Sequence, residues 1–99
     1  MTTRRILEDE EEMTPGELKA LREKAKLLEP LVRIGKNGLT ESSLLHIKKL
    51  VDKRKLVKVK LLKSFLEAND RKAAAGLLAK GTGAELVDQV GFVVVLYKR

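Results

Sequence analysis

The stretch Leu31-Val32-Arg33-Ile34-Gly35-Lys36-Asn37-Gly38-Leu39-Thr40-Glu41 decides how this chain folds. A short apolar run meets a glycine, two polar residues and a second glycine follow, and a threonine then stands before a helix-forming segment. Leu31–Ile34 is expected to be a strand and Gly35–Gly38 a tight loop. Thr40 suits the cap of a helix, with Glu41 favourably placed in its first turn.

Downstream of the cap, Leu44, Ile47, Leu50 and Val51 repeat at helical spacing, while Ser42, Lys49 and Lys53 fall together on the opposite side. Leu56-Val57-Lys58-Val59-Lys60-Leu61 alternates with a period of two, which sends Val57, Val59 and Leu61 one way and Lys58 and Lys60 the other. A third helix is expected from about Glu67 to Lys80, with Ala73, Ala74, Leu77 and Leu78 inward, stopped by Gly81-Thr82-Gly83. Two strands, roughly 84–89 and 92–98, turn near Gly91.

Upstream of Leu31, Thr14, Pro15 and Glu17 have the spacing of a capped helix start with proline in the first turn. Leu18, Leu21, Ala25 and Leu28 supply its apolar stripe, and Glu29-Pro30 is expected to end it, because a residue before proline disfavours the helical conformation. The element order is therefore α-β-α-β-α-β-β, an α/β sandwich with a partly parallel sheet and a terminal hairpin. Residues 1–13 are expected to be a disordered acidic tail, and residues 14–99 a single domain.

Charge narrows the function. The chain carries 21 Lys and Arg against 14 Asp and Glu, a net of +7. The acids of Glu8 to Glu12 leave the first thirteen residues at −3, so the other 86 hold a net of +10. A domain this basic suits an anionic partner, and nucleic acid is the commonest. There is no cysteine, which excludes disulfides and thiolate metal sites. No run of residues reaches the ~18 apolar positions of a membrane span and no signal-peptide core is visible, so an intracellular, cytoplasmic protein is expected.

Catalysis is not expected. His46, the single histidine, lies near the border of the second helix's apolar stripe, with no cysteine or second histidine to build a nucleophile–base pair or a common zinc site. Neither a cofactor nor a small-molecule substrate is implied. The stronger candidate is Gly35-Lys36-Asn37-Gly38, because glycines let backbone amides approach phosphate oxygens and a helix N-terminus adds a positive dipole end. Lys36 supplies a charge at the tip, and Asn37 tolerates left-handed turn conformations. Lys49, Lys53, Arg54 and Lys55, on or just after the same helix, extend the basic surface. One Tyr, two Phe and no Trp cannot build a multi-aromatic platform for stacking bases, so binding should be mostly electrostatic and shape-guided.

From Leu31 to Arg99 the chain also resembles the CRM domain, the family of bacterial YhbY-like proteins and plant chloroplast RNA splicing factors. The resemblance is carried by Val32–Thr40, Leu56–Lys60, Thr82-Gly83-Ala84 and Val94–Lys98, in that order and spacing. It implies a four-stranded mixed sheet packed with three helices, similar to the C-terminal domain of bacterial translation initiation factor three. It further implies RNA binding, with Gly35–Gly38 as part of the surface. Stand-alone members of the family are associated with precursors of the large ribosomal subunit, so a ribosomal RNA or pre-ribosomal partner is the expectation for this chain. Two other classes stay open on the residues themselves: a DNA-binding architectural protein of the Alba type, equally basic and related in strand–helix order, and a protein-interaction module whose charge only solubilises it. The oligomeric state is not legible.

Overall fold

Thr14 begins the first helix in the manner its spacing implies. In the computed structural model, which describes residues 13–98, the Glu17 amide donates to Thr14 Oγ1 at 3.1 Å and the Thr14 amide donates to Glu17 Oε1 at 2.9 Å. This reciprocal cap opens α1 (Pro15–Lys26). The acidic segment of residues 1–12 lies outside the described residues; Met13 is half-buried and packs on the α1 side of the sheet.

The remaining elements are β1 (Val32–Ile34), α2 (Glu41–Arg54), β2 (Leu56–Leu61), α3 (Lys63–Leu66), α4 (Arg71–Thr82), β3 (Glu85–Val90) and β4 (Val93–Tyr97). The four strands form one mixed sheet in the order β1-β2-β4-β3. β1 runs parallel to β2 in the register Val32↔Val59, Arg33↔Lys60 and Ile34↔Leu61. A parallel neighbour needs a crossover, and α2 supplies it. The other pairings are antiparallel, with β3 and β4 joined at Gly91-Phe92 as a hairpin. A register shift between Leu86 and Asp88 marks an irregularity in β3, and Val87 between them is buried.

Alternation on β2 divides the apolar residues into two layers. Val57, Val59 and Leu61 are fully buried and join Ile34, Val94 and Leu96 against Ile47 and Val51 of α2, Phe65, and Ala74, Ala75 and Leu78 of α4. On the opposite face Ala25, Val87 and Val95 are buried, with Leu18, Leu21, Leu56, Val93 and Tyr97 packed around them. The α/β sandwich, mixed sheet and terminal hairpin expected from the sequence are all present.

Three local expectations need correction. First, α1 stops at Lys26 and not at Glu29-Pro30. Its end tightens through bonds from the Leu27 amide to Lys24 O and from the Leu28 amide to Ala25 O, both 3.1 Å. These three-residue spacings close the last turn and free residues 27–31 to return to the sheet. Leu28 therefore leaves the helical stripe. Second, the segment between β2 and the third long helix contains the short α3, whose Phe65 enters the core. Four residues are too few to show a helical period, so nothing in the spacing announced it.

Third, α4 starts at Arg71, because Asp70 Oδ2 accepts the Ala73 amide at 3.0 Å, and its inward face is shifted by one residue. Ala74, Ala75, Leu78 and Thr82 are buried, whereas Ala73 is exposed and Leu77 is 56% exposed. Small residues face inward because α4 approaches α2 closely. A β-carbon on Gly81 would lie 3.1 Å from both Leu44 methyl carbons. Gly81 thus belongs to the helix, and Gly83, with φ of 74°, ends it. Buried Thr82 is satisfied by donating from Oγ1 to Leu78 O at 2.6 Å.

α2 ends on a residue that is not glycine. Lys55 has φ of 70° and ψ of −42°, held by its amide donating to Val51 O and by the Lys98 amide donating to its carbonyl, both at 2.8 Å. Lys98 also bridges from Nζ to Asp52 Oδ1 at 2.6 Å. That hydrogen bond, together with the charges of Lys98, Lys48 and Lys55, holds the Asp52 carboxyl below its usual range.

The phase of α4 is tested by a pair of variants: Leu78→Ala should lose about 2–5 kcal/mol in denaturant unfolding, and Leu77→Ala about 0.5 kcal/mol or less. Left-handed backbone gives a second test by thermal melting. Gly38→Ala should destabilise by about 1–2 kcal/mol, since Gly38 has φ of 74°. Lys55→Gly should melt no lower than the parent, because glycine adopts this backbone freely.

Candidate nucleic-acid interface

The loop at the start of the crossover is a closed four-residue turn. The Gly38 amide donates to Gly35 O at 3.0 Å, and Gly38, not Asn37, takes the left-handed conformation. Lys36 and Asn37 are exposed at its tip. Gly35 packs closely instead: a β-carbon there would stand 3.3 Å from Leu62 Cδ1 and 3.5 Å from Ser64 Oγ. The turn is therefore seated on the β2–α3 connection, and the Leu62 amide donating to Ile34 O at 2.8 Å fixes that seat.

Behind the turn, α2 begins with a second reciprocal cap. Thr40 Oγ1 accepts the Ser43 amide at 3.1 Å and Ser43 Oγ accepts the Thr40 amide at 3.0 Å. Ser43 in this role was not singled out in the sequence, where Glu or Gln is the usual partner. The cap occupies the Ser43 amide, and Glu41 places a carboxylate in the first turn. The helix end therefore has one fewer open amide, and the Glu41 carboxylate offsets its positive dipole end.

The basic residues divide into two groups. Ser42, His46, Lys49 and Lys53 are exposed and spaced as one stripe along the outer side of α2, starting beside the loop. His46 belongs to this outward stripe and not to the border of the core. Arg54 and Lys55 lie off the stripe, at the end of a 14-residue helix, and so about 20 Å from the loop at ~1.5 Å per residue. They border a groove with Lys24 and Lys58.

The sheet register adds cations that spacing alone did not reveal. Arg33, two residues before Gly35, and Lys60 are direct partners across the parallel pair, on the face away from the main core. Neighbouring strands lie about 5 Å apart, so two like charges stand side by side. Lys63 is exposed one residue beyond Leu62, on which Gly35 rests. Arg33 and Lys36 of one stretch, and Lys60 and Lys63 of another, thus lie at the loop end of the sheet. Among the described residues, no cluster of three or more His, Cys, Asp or Glu could hold a metal ion, and no helix is long and apolar enough to cross a membrane.

The description "CRS1 / YhbY (CRM) domain" matches residues 13–98 of the chain. The probable RNA-binding protein YqeI of Bacillus subtilis is 34% identical over 86 residues, covering 87% of this chain and 88% of YqeI. A probable RNA-binding protein of Methanocaldococcus jannaschii is 37% identical over 94 residues, covering 94% of this chain and 69% of that protein. In structure, the chain is similar to a Staphylococcus aureus protein described as an RNA-binding candidate, with a TM-score of 0.73 and 31% identity over 89% of this chain and 90% of the other. With its sheet order, its glycine turn at the strand–helix junction and these likenesses together, the chain belongs to the CRS1/YhbY (CRM) domain family.

Proposed function

We propose that this chain is a non-enzymatic RNA-binding protein that grips a phosphate backbone with the Gly35-Lys36-Asn37-Gly38 turn and the outer side of α2, and that its target is ribosomal RNA in a precursor of the large subunit. One observation carries the reading: the exposed turn with Lys36 at its tip stands at the strand–helix junction, and Lys49 and Lys53 are exposed along the outer side of the helix that follows it. Such a surface meets successive phosphates by charge and shape, with little means of reading base edges.

The names of the relatives support RNA over other polyanions. The narrower ribosomal target rests on the resemblance to stand-alone CRM proteins. Paired Arg33 and Lys60 support the phosphate reading independently, since adjacent like charges repel until an anion lies between them.

Lys36→Glu combined with Lys49→Glu should abolish binding to a structured ribosomal RNA fragment while leaving the circular dichroism spectrum and melting temperature intact. Affinity within twofold of the parent at moderate salt would remove the loop from the interface. For the parent chain, log affinity should fall with log salt at a slope of about −3 to −4, as expected when roughly five cations neutralise phosphates on a single strand. Duplex DNA should compete less well than the RNA fragment at the same salt.

A further inference from the structure

The early end of α1 has a consequence at the far end of the crossover helix. Residues 27–31 return to the sheet without helical packing, and between them, the end of α2 and the starts of β1 and β2 lies an open groove of about 700 Å³. Its floor is apolar, made by Leu21, Leu28, Leu31, Leu56 and half-buried Tyr97. Lys24, Arg54 and Lys55 border it, and Lys58 crosses it to donate from Nζ to Leu28 O at 2.9 Å. Four cations thus face the single carboxylate of Glu29.

Two features of this groove set it apart from the rest of the surface. Leu27, Leu28 and Leu31 are 88%, 39% and 45% exposed within five residues of chain, which gathers apolar surface in one place beside the cations. Lys55 holds a left-handed backbone conformation that costs free energy for any residue with a β-carbon. Strain retained at the rim of a cationic, apolar-floored groove fits a ligand with both an anionic and a flat apolar part.

We infer that this groove is a nucleotide subsite: an unstacked RNA base lies against Tyr97 and the leucine floor, and the phosphates beside it meet Lys24, Arg54 and Lys55. The inference rests on the RNA-binding reading above. It extends that reading from phosphate contacts alone to the capture of one base, and it gives Arg54 and Lys55 a site separate from the loop. RNA is favoured over an acidic peptide by charge and connection: four cations line the groove against one carboxylate, and Arg54 and Lys55 close the same helix that the glycine turn leads into. A single aromatic ring suits one base and not a row of them.

Tyr97 is the only tyrosine in a chain without tryptophan, so tyrosine emission reports on this groove alone. The full chain should be titrated with a short single-stranded RNA oligonucleotide at low salt, following both bound fraction and emission. Emission should fall by about half or more as binding saturates. Leu27→Ser with Lys55→Gly should weaken affinity roughly tenfold, the scale of one lost base contact, without lowering the melting temperature. RNA binding with unchanged Tyr97 emission, and with the double variant within twofold of the parent, would overturn the subsite and leave the loop reading standing. Failure of the parent chain to bind RNA at all would remove both. Quenching by an acidic leucine-containing peptide but not by RNA would assign the groove to a protein partner and overturn the inference.

Discussion

The parallel pairing of β1 with β2 is the constraint on which the other features depend. β1 has three residues, and its ladder is lengthened at each end by single bonds, from the Leu31 amide to Lys58 O at 3.0 Å and from the Leu62 amide to Ile34 O at 2.8 Å. Because the strands run the same way, the chain must leave β1 at one end of the sheet and re-enter β2 at the other. The glycine turn is therefore fixed at the departure, the basic helix spans the sheet, and the cationic groove forms at the return. The same register sets Arg33 beside Lys60. Slipping β1 by one residue against β2 would turn Arg33 towards the core in place of Val32 and Ile34.

Much of this was legible wherever a local chemical rule and the global fold agree. Thr14 and Thr40 cap the helices they precede, alternation in Leu56–Leu61 sorts the faces of β2, and the glycine turn stands between a strand and a helix. The failures share a different character. The inward face of α4 was misjudged because Leu77 outweighs Ala75 in hydrophobicity, while the close approach of α4 to α2 at Gly81 and Leu44 selects small residues. The early stop of α1 follows from where the chain must go next, which no capping rule encodes. α3 is too short to carry a period.

The candidate site was legible in its parts and not in its assembly. Gly35–Gly38, Lys36, Lys49 and Lys53 stand at one end and along one side of α2, as their spacing implies. Arg54 and Lys55 follow directly in sequence yet lie off that stripe, because the helix ends there and Lys55 turns the chain. Arg33 and Lys60 are 27 residues apart and meet only through the parallel register. A lysine in a strand signals a wet face; its neighbour across the ladder is information that only pairing supplies. Lys63 is brought to that end of the sheet in a similar way, since Gly35 packs on Leu62 and Ser64 to either side of it.

A surface made of dispersed cations around a hydrogen-bonded turn, with one half-buried tyrosine, favours backbone recognition with modest base preference. Ultraviolet crosslinking in cells, with sequencing of the attached RNA and mass spectrometry of the crosslinked peptide, tests that picture most directly. Reads from large-subunit ribosomal RNA, with crosslinks in the peptide containing Gly35-Lys36-Asn37-Gly38, are the expected result. Recovery of no RNA, or of crosslinks confined to surfaces away from both the turn and α2, would contradict it.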